Sequence, residues 1–335
     1  MAEIAQKAGV SPATVSRVLN GTAAVRADRR KLVLQAVADV GYRPNRLARN
    51  FRLQTAEAIG IVVSDIENPH FTTMVRAVED LAYARGRRVL LCNTDERSDK
   101  QSTYLEMLAL ERVQAVIISP SDPADPEISE LLDQGIPVVA FDRPVEDPRA
   151  DAIVVDNAAA AERATRHLLN AGHRRIGLVA GPRDVKTGAD RRAGYETAMR
   201  AAGFPVHAAS GRFRIDGGRK AAERLLEEVP DLTALVVSNN LMAIGALEVL
   251  RLRRRRIPED VALVTIDDPF WGVLIDPALT ALAQPLREMS QAAVDLVFER
   301  IEGRRHEPRH LLFEMEMRVR DSCGTIPPGS WRDRP

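Results

Sequence analysis

The sequence has only two cysteines in 335 residues, Cys92 and Cys323, and neither falls in a metal-ligand spacing. A disulfide framework and a thiolate zinc site are therefore excluded as organising principles, and both residues are expected as reduced thiols. The six histidines are scattered and add no metal pattern. Aromatic residues make up only 4% of a chain that is 45% hydrophobic, so the core must be built from Ala, Leu, Val and Ile, which suits layered α/β packing. There is no run of eighteen apolar residues and no basic-then-apolar opening segment, so neither a membrane span nor secretion is indicated and a cytoplasmic location is expected. Also missing are a GxSxG elbow, an HExxH pair and a GxxxxGK phosphate loop; no catalytic residues, metal or cofactor are expected. The adjacent carboxylates Asp267 and Asp268 are poorly placed to flank a scissile bond.

Net charge is absent overall but not locally. Residues 1–54 carry ten Lys and Arg against three Asp and Glu, about +7, which leaves about −7 on the rest. Such a split is the electrostatic footprint of a small phosphate-binding head on an acidic body, and the length accommodates both.

The head reads as two short helices around a tight turn. Ile4, Ala5 and Ala8 share a face of the first; Gly9 permits the turn; Ser11 then Pro12 read as an N-cap and first helical residue. In the second helix Val15, Val18 and Leu19 form the apolar stripe, which leaves Ala13, Thr14, Ser16 and Arg17 outward. Short polar residues near a helix N-terminus allow close entry into the major groove, where Arg17 can pair with guanine O6 and N7. Ser11, Thr14 and Ser16 suit phosphate contacts, and Asn20 closes the same candidate DNA-contacting set. A third helix is expected from about Ala27 to Val40, with Leu32, Val33, Ala36, Val37 and Val40 inward and Gly41 at its end. In GYRPNRLARNFR, Pro44 and Asn45 can start another short helix carrying Arg46, Arg49 and Arg52, marginal alone and expected to order against DNA or a partner chain.

From Ala58 onward short β-rich strings alternate with amphipathic helical stretches. AIGIVVS, RVLLCN, VQAVIIS, PVVAFD and AIVVD form one strand series, and RIGLVAG, ALVVSN and VALVTID a second, with helices between. Two βα series predict two parallel-sheet subdomains with a ligand cleft between them. Loops at strand C-terminal ends should line it: Asp65, Asn68, Phe71, Asp142, Arg143, Asn239 and Asp267, with Arg191 at a helix start. Polar groups capable of bidentate bonds beside an aromatic face suit a polyhydroxylated ring. The arginines from Arg251 to Arg256 read as a solvated helix C-terminus rather than a second nucleic-acid patch.

The strings AEIAQKAGVSPATVSRVLNG, GYRPNRLAR, IGIVVSDIENPHF, AGHRRIGLVAGP, DRRAGYETAM, VVSNNLMAIGAL and PEDVALVTIDD occur in the order found in the LacI/GalR family of bacterial transcription regulators, which the sequence resembles over nearly its whole length. The resemblance implies an α/β periplasmic-binding-protein-like core of two parallel-sheet subdomains, preceded by an all-α helix-turn-helix head. It implies a head at 1–43, a hinge helix and linker at 44–55 and a core at 56–320; beyond Arg320 the sequence has no periodicity, and a disordered tail at 321–335 is expected. The first subdomain would comprise about 56–156 and 282–311, the second about 157–281 and 312–320, with crossings near Asp156, Ala281 and Leu311. In the family, dimers set recognition helices in neighbouring major grooves and hinge helices in the central minor groove. Pro12, Ala13 and Arg17 then match positions that read bases, and Asn45, Ala48 and Phe51 lie on or beside the minor groove. Arg191, Asn239 and Asp267 match positions that bind an effector's hydroxyls or carboxylate, and Phe213 one that stacks on it. Three features depart from the family pattern: no threonine-containing arm precedes the first helix, Phe51 stands where leucine is usual, and Asn240 where aspartate is more often found. The implied partners are a roughly palindromic double-stranded DNA operator, a monosaccharide or related polyol and a second copy of the chain, with no membrane, at the nucleoid. The rival readings are a soluble sugar-binding protein without productive DNA binding and, more remotely, a DNA-binding sugar-metabolism enzyme.

Overall fold

The computed structural model describes residues 2–20, 25–40 and 56–324. Gly41, the expected hinge with Asn45, Ala48, Arg49 and Phe51, and the side chains of Leu19 and Asn20 lie outside the described residues. The chain divides into two compact units, 1–56 and 57–335.

The first unit contains α1 (Ala2–Lys7), α2 (Pro12–Asn20) and α3 (Ala27–Asp39). Ile4, Ala5 and Ala8 from the start of the chain meet Val15, Val33 and Ala36 in a small closed core. Gly9, at φ +63°, makes the turn between α1 and α2 at no steric cost, and Lys7 reaches Asp39 at 3.3 Å to tie α1 to the end of α3. Leu32 is a correction to the expected inward face, since it is 55% exposed. Val33, Ala36, Val37 and Val40 already form the stripe at three- and four-residue spacing. Leu32 sits one position, about 100°, away from Val33 around the helix.

The second unit holds two six-stranded sheets. The first comprises β1 (Ala58–Val63), β2 (Arg88–Asn93), β3 (Ala115–Ile118), β4 (Val138–Phe141), β5 (Asp151–Val155) and β11 (His310–Phe313), in the order β11-β5-β4-β3-β1-β2 and parallel throughout. The second comprises β6 (Ile176–Ala180), β7 (His207–Ser210), β8 (Ala234–Val237), β9 (Ala262–Ile266), β10 (Thr280–Ala283) and β12 (Glu316–Arg318), in the order β12-β10-β9-β8-β6-β7, with only β12 antiparallel to its neighbour. Helices cover both sheets: α4 (Pro69–Ala84), α5 (Ser98–Leu110), α6 (Pro126–Asp133) and α11 (Leu286–Ile301) around the first; α7 (Asn157–Asn170), α8 (Lys186–Ala201), α9 (Ile215–Glu228) and α10 (Asn240–Leu252) around the second. Strands β1, β3, β4, β6, β8 and β9 are buried along their full length, which is why they read as unbroken apolar runs rather than alternating ones. The pair α7 and α8 packs with backbones nearly touching; a Cβ at Gly194 would stand 2.0 Å from the Ala158 carbonyl oxygen.

The chain passes between sheets after Val155, after Ala283 and after Phe313. The second crossing falls later than expected because Leu282 is still a strand residue, paired with Ile266 and Met317. The third is later because Leu311 lies inside β11, opposite Ile153. The start of the expected disordered tail is also corrected. Asp321–Cys323 form a 3-10 turn in which buried Ser322 Oγ accepts from Thr280 N at 2.8 Å and donates to the Leu263 carbonyl at 2.7 Å. Both cysteines are buried, and burial pushes the Cys92 thiol up to about 11.

Candidate functional site

The C-terminal ends of both sheets converge on one cleft, and the two sides are built alike. Asn68 caps α4 by accepting from His70 N at 3.0 Å, and Asn239 caps α10 by accepting from Met242 N at 2.9 Å. Asp142 leaves β4 at φ 68° and Asp267 leaves β9 at φ 67°. Aspartate tolerates the left-handed region better than most residues, and the backbone locks each turn: Asp142 N donates to the Ile153 carbonyl and Asp267 N to that of Leu282, both at 2.9 Å. The sheet topology thus delivers two capped helix N-termini and two strand-end carboxylates to a single cavity, small in this structure at about 30 Å³.

Asp65, Asn68, Phe71, Asp142, Arg143, Arg191, Phe213, Asn239 and Asp267, the positions singled out from sequence, all line this cavity. Arg191 enters it rather than Arg192, whose Nε is held by Glu196 at 2.7 Å. The buried Arg191 guanidinium donates through Nε to Asn157 Oδ1 at 2.7 Å and through Nη1 to the Ser238 carbonyl at 2.5 Å, and its Cζ lies 5.8 Å from the Phe213 ring centroid. Gly181 provides the room for that ring: a Cβ there would stand 2.3 Å from Phe213 Cζ. Asn239 Nδ2 donates to the Phe213 carbonyl at 3.2 Å, so backbone and ring are fixed together.

Sequence reasoning missed His70, Glu96, Thr187, Arg212, Arg214 and Gln284, which line the same cavity. Arg143 does not rely on Asp142, whose carboxylate lies 3.6 Å from its Nε; it forms a two-pronged pair with Glu96, Nη1 to Oε2 and Nη2 to Oε1, both at 2.7 Å. Across the cleft Arg214 reaches Asp65 at 3.2 Å; burial still leaves the Asp65 carboxyl above the ordinary carboxylate range, against the pull of the Glu67 N–H and Arg214. Gln284 donates to Asp267 Oδ1 at 2.8 Å. His70 was legible only as the residue after the first proline of a helix, yet it is buried beside both strand-end carboxylates. Asp268 faces elsewhere, held by Arg318 at 2.9 Å and by two 2.7 Å bonds from Arg320.

On the head, Ser11, Pro12, Ala13 and Arg17 are exposed, and Thr14 and Ser16 half-buried. Ser11 Oγ accepts from Thr14 N at 3.2 Å and lies 3.0 Å from Thr14 Oγ1, the expected cap at the start of α2. The arginines at the end of α10 are exposed, and two pair locally, Arg253 with Glu227 at 2.5 Å and Arg256 with Asp260 at 2.7 Å. Among the described residues no helix is long and apolar enough to cross a membrane, and no cluster of three or more His, Cys, Asp or Glu is arranged to hold a metal.

Two family profiles match in tandem: "Bacterial regulatory proteins, lacI family" over residues 1–45 and "Periplasmic binding proteins and sugar binding domain of LacI family" over 56–320. The chain is 33% identical over 321 residues to the HTH-type transcriptional repressor PurR of Aliivibrio salmonicida, covering 95% of this chain and 96% of that one. It is 35% identical over 300 residues to the ribose operon repressor of Halalkalibacterium halodurans, covering 90% and 89%. Among solved structures it is similar to the Lac repressor dimer bound to operator and the anti-inducer ONPF, with a TM-score of 0.84 at 26% identity over 96% of this chain and 97% of the other.

Proposed function

The chain belongs to the LacI family of bacterial regulatory proteins, and from that premise we propose how its parts divide the work of a DNA-binding transcriptional repressor. The head binds a roughly palindromic operator as one half of a homodimer. Ser11, Thr14 and Ser16 hold phosphates, Asn20 belongs to the same contact set, and Pro12, Ala13 and Arg17 approach base edges. Asn45, Ala48, Arg49 and Phe51 extend the contact into the minor groove. The core takes a monosaccharide or related polyol, gripped by Asn68, Arg143, Arg191, Asn239 and Asp267 with Phe71 and Phe213 as its apolar walls. The family profile over 56–320 names sugar binding, and one relative is a ribose operon repressor. The protein works at the nucleoid in the cytoplasm and carries out no chemistry on its ligand.

The observation that carries this reading is the convergence of paired polar groups and a stacked arginine–aromatic pair from both sheets on one cavity. Such a cavity spans the moving parts, so a ligand that prefers one degree of closure shifts the population of that state, and the operator affinity with it.

The test is operator binding by the purified full-length dimer, across salt concentrations, with and without a panel of monosaccharides. Specific binding with a steep salt slope, altered at least tenfold by one sugar, is the expected result. Sugar binding with no sequence-specific DNA complex would instead favour a plain binding protein, and turnover of the sugar an enzyme.

A further inference from the structure

Asn157 is the first residue of α7, two positions past the end of β5, where the chain first passes from one sheet to the other. It is buried, and both ends of its amide are engaged: Oδ1 accepts from Arg191 Nε at 2.7 Å, and Nδ2 donates to the carbonyl of Val155, the last residue of β5, at 3.3 Å. Chemistry fixes this orientation. A guanidinium only donates and a carbonyl only accepts, so the amide oxygen must face Arg191 and the amide nitrogen Val155. One side chain therefore joins a cleft arginine of the second subdomain to a strand end of the first.

The surroundings make that junction stiff. Asp156 N donates to the Phe313 carbonyl at 3.2 Å, which ties the first crossing to the third, and Asp156 Oδ1 accepts from Ala159 N at 2.9 Å to cap α7. Arg191 rides on α8 one turn before Gly194, where the α7 and α8 backbones touch beside Ala158, so the two helices move as one. The other partners of Arg191, the Ser238 carbonyl and the Phe213 ring, both lie in the second subdomain. Its Nη2 is bonded to none of the described residues and is the nitrogen left for the cavity that Arg191 lines.

We propose that Asn157 is a positioning residue that couples Arg191 to the hinge, its carbonyl holding the guanidinium and its amide nitrogen holding the end of β5. Parting of the subdomains turns α7 against β5 and breaks the Val155 bond. A ligand drawn onto Nη2 steadies the guanidinium, the guanidinium steadies the amide, and the amide holds the closed angle, so occupancy and closure favour one another. The use of this chain of bonds by a ligand rests on the assignment of Arg191 to the effector made above, but the chain from Arg191 to β5 needs no ligand.

The test accordingly uses the full-length chain without ligand. Fluorescent donor and acceptor are placed at Arg97→Cys and Asp184→Cys, exposed positions on loops of opposite subdomains, while the native Cys92 and Cys323 are buried. Single-molecule transfer efficiency gives the closed-to-open ratio in the parent, Asn157→Leu, Asn157→Asp, Arg191→Met and the double variant Arg191→Met with Asn157→Leu, each checked for a cooperative melt. The expected result is a ratio lowered roughly threefold to tenfold in Asn157→Leu, the worth of one buried hydrogen bond. Arg191→Met should lower it by as much, because the unanchored amide turns away from Val155, and the double variant no further. Asn157→Asp keeps the acceptor for Arg191 and loses the donor to Val155, so it should open as Asn157→Leu does; a role confined to holding Arg191 would leave it as closed as the parent. Unchanged closure in either Asn157 variant, or additive losses in the double variant, overturns the coupling. Because no sugar or operator is present, a failed operator assay leaves this result readable on its own.

Discussion

The side-chain amide of Asn240 donates to Asn68 Oδ1 at 3.1 Å, so the first turn of α10 in one subdomain grips the N-cap of α4 in the other. The same oxygen also accepts from His70 N at 3.0 Å. One atom therefore serves both the local helix and the closure of the cleft.

Replacing Asn240 by Asp removes the donor and sets a carboxylate against that oxygen. The loss of one buried inter-subdomain hydrogen bond costs about 1–2 kcal/mol of closure, while the cap bond from His70 N survives and keeps α4 intact. The effector Kd should rise roughly tenfold by calorimetry, with little change in melting temperature. An unchanged Kd would show that the bound state does not use this contact.

Arg191→Met is expected to separate sensing from DNA binding. It strips the hydrogen bonds from Asn157 Oδ1 and the Ser238 carbonyl, both buried, and leaves two orphaned acceptors at about 1–3 kcal/mol each. Melting should fall by several degrees, and the sugar should no longer alter operator affinity, measured by fluorescence anisotropy. Operator affinity without sugar should stay within about threefold, since the head's own core of Ile4, Val15, Val33 and Ala36 is untouched.

These relationships were unevenly legible in the sequence. Strands such as Ala58–Val63 and Ala262–Ile266 announced themselves because burial on both faces of a parallel sheet demands an unbroken apolar run. His207–Ser210 gave no such signal, being a short edge strand without a β-branched residue, and Asn157–Asn170 reads as an alanine tract until Gly194 is seen packed against it. At the site, Asn239 and Asp267 could be found because strand-end loops are the rule for such clefts. His70, Glu96 and Gln284 could not, since their roles arise from partners 17 to 197 positions away.

Gly181→Ala tests the aromatic wall without touching a polar group. The added methyl would begin 2.3 Å from Phe213 Cζ, so the ring must move by about 1 Å or more, an overpacking that costs about 1–3 kcal/mol. The ring is also pinned through its own carbonyl by Asn239. The expected outcome is a weakening of sugar binding by tenfold or more with a modest fall in melting temperature; retained affinity would show that the Phe213 face is not where the ring of the ligand sits.

Arg17 and Ser11 lie six positions apart on one short segment, and substitution should part them by mechanism. Arg17 is exposed near the end of α2 and contributes nothing to the core of the head. Arg17→Ala should leave the melt of the head unchanged and cost about 1–3 kcal/mol of operator affinity, all of it at one base pair, so that changing that pair no longer matters to the variant. Ser11→Ala instead removes the oxygen that accepts from Thr14 N. Its loss should lower head stability by about 1 kcal/mol and weaken binding to every duplex alike, since a phosphate contact carries no sequence information. Anisotropy against a panel of single-pair operator variants separates the two patterns. A uniform loss in Arg17→Ala would move that arginine from the bases to the backbone.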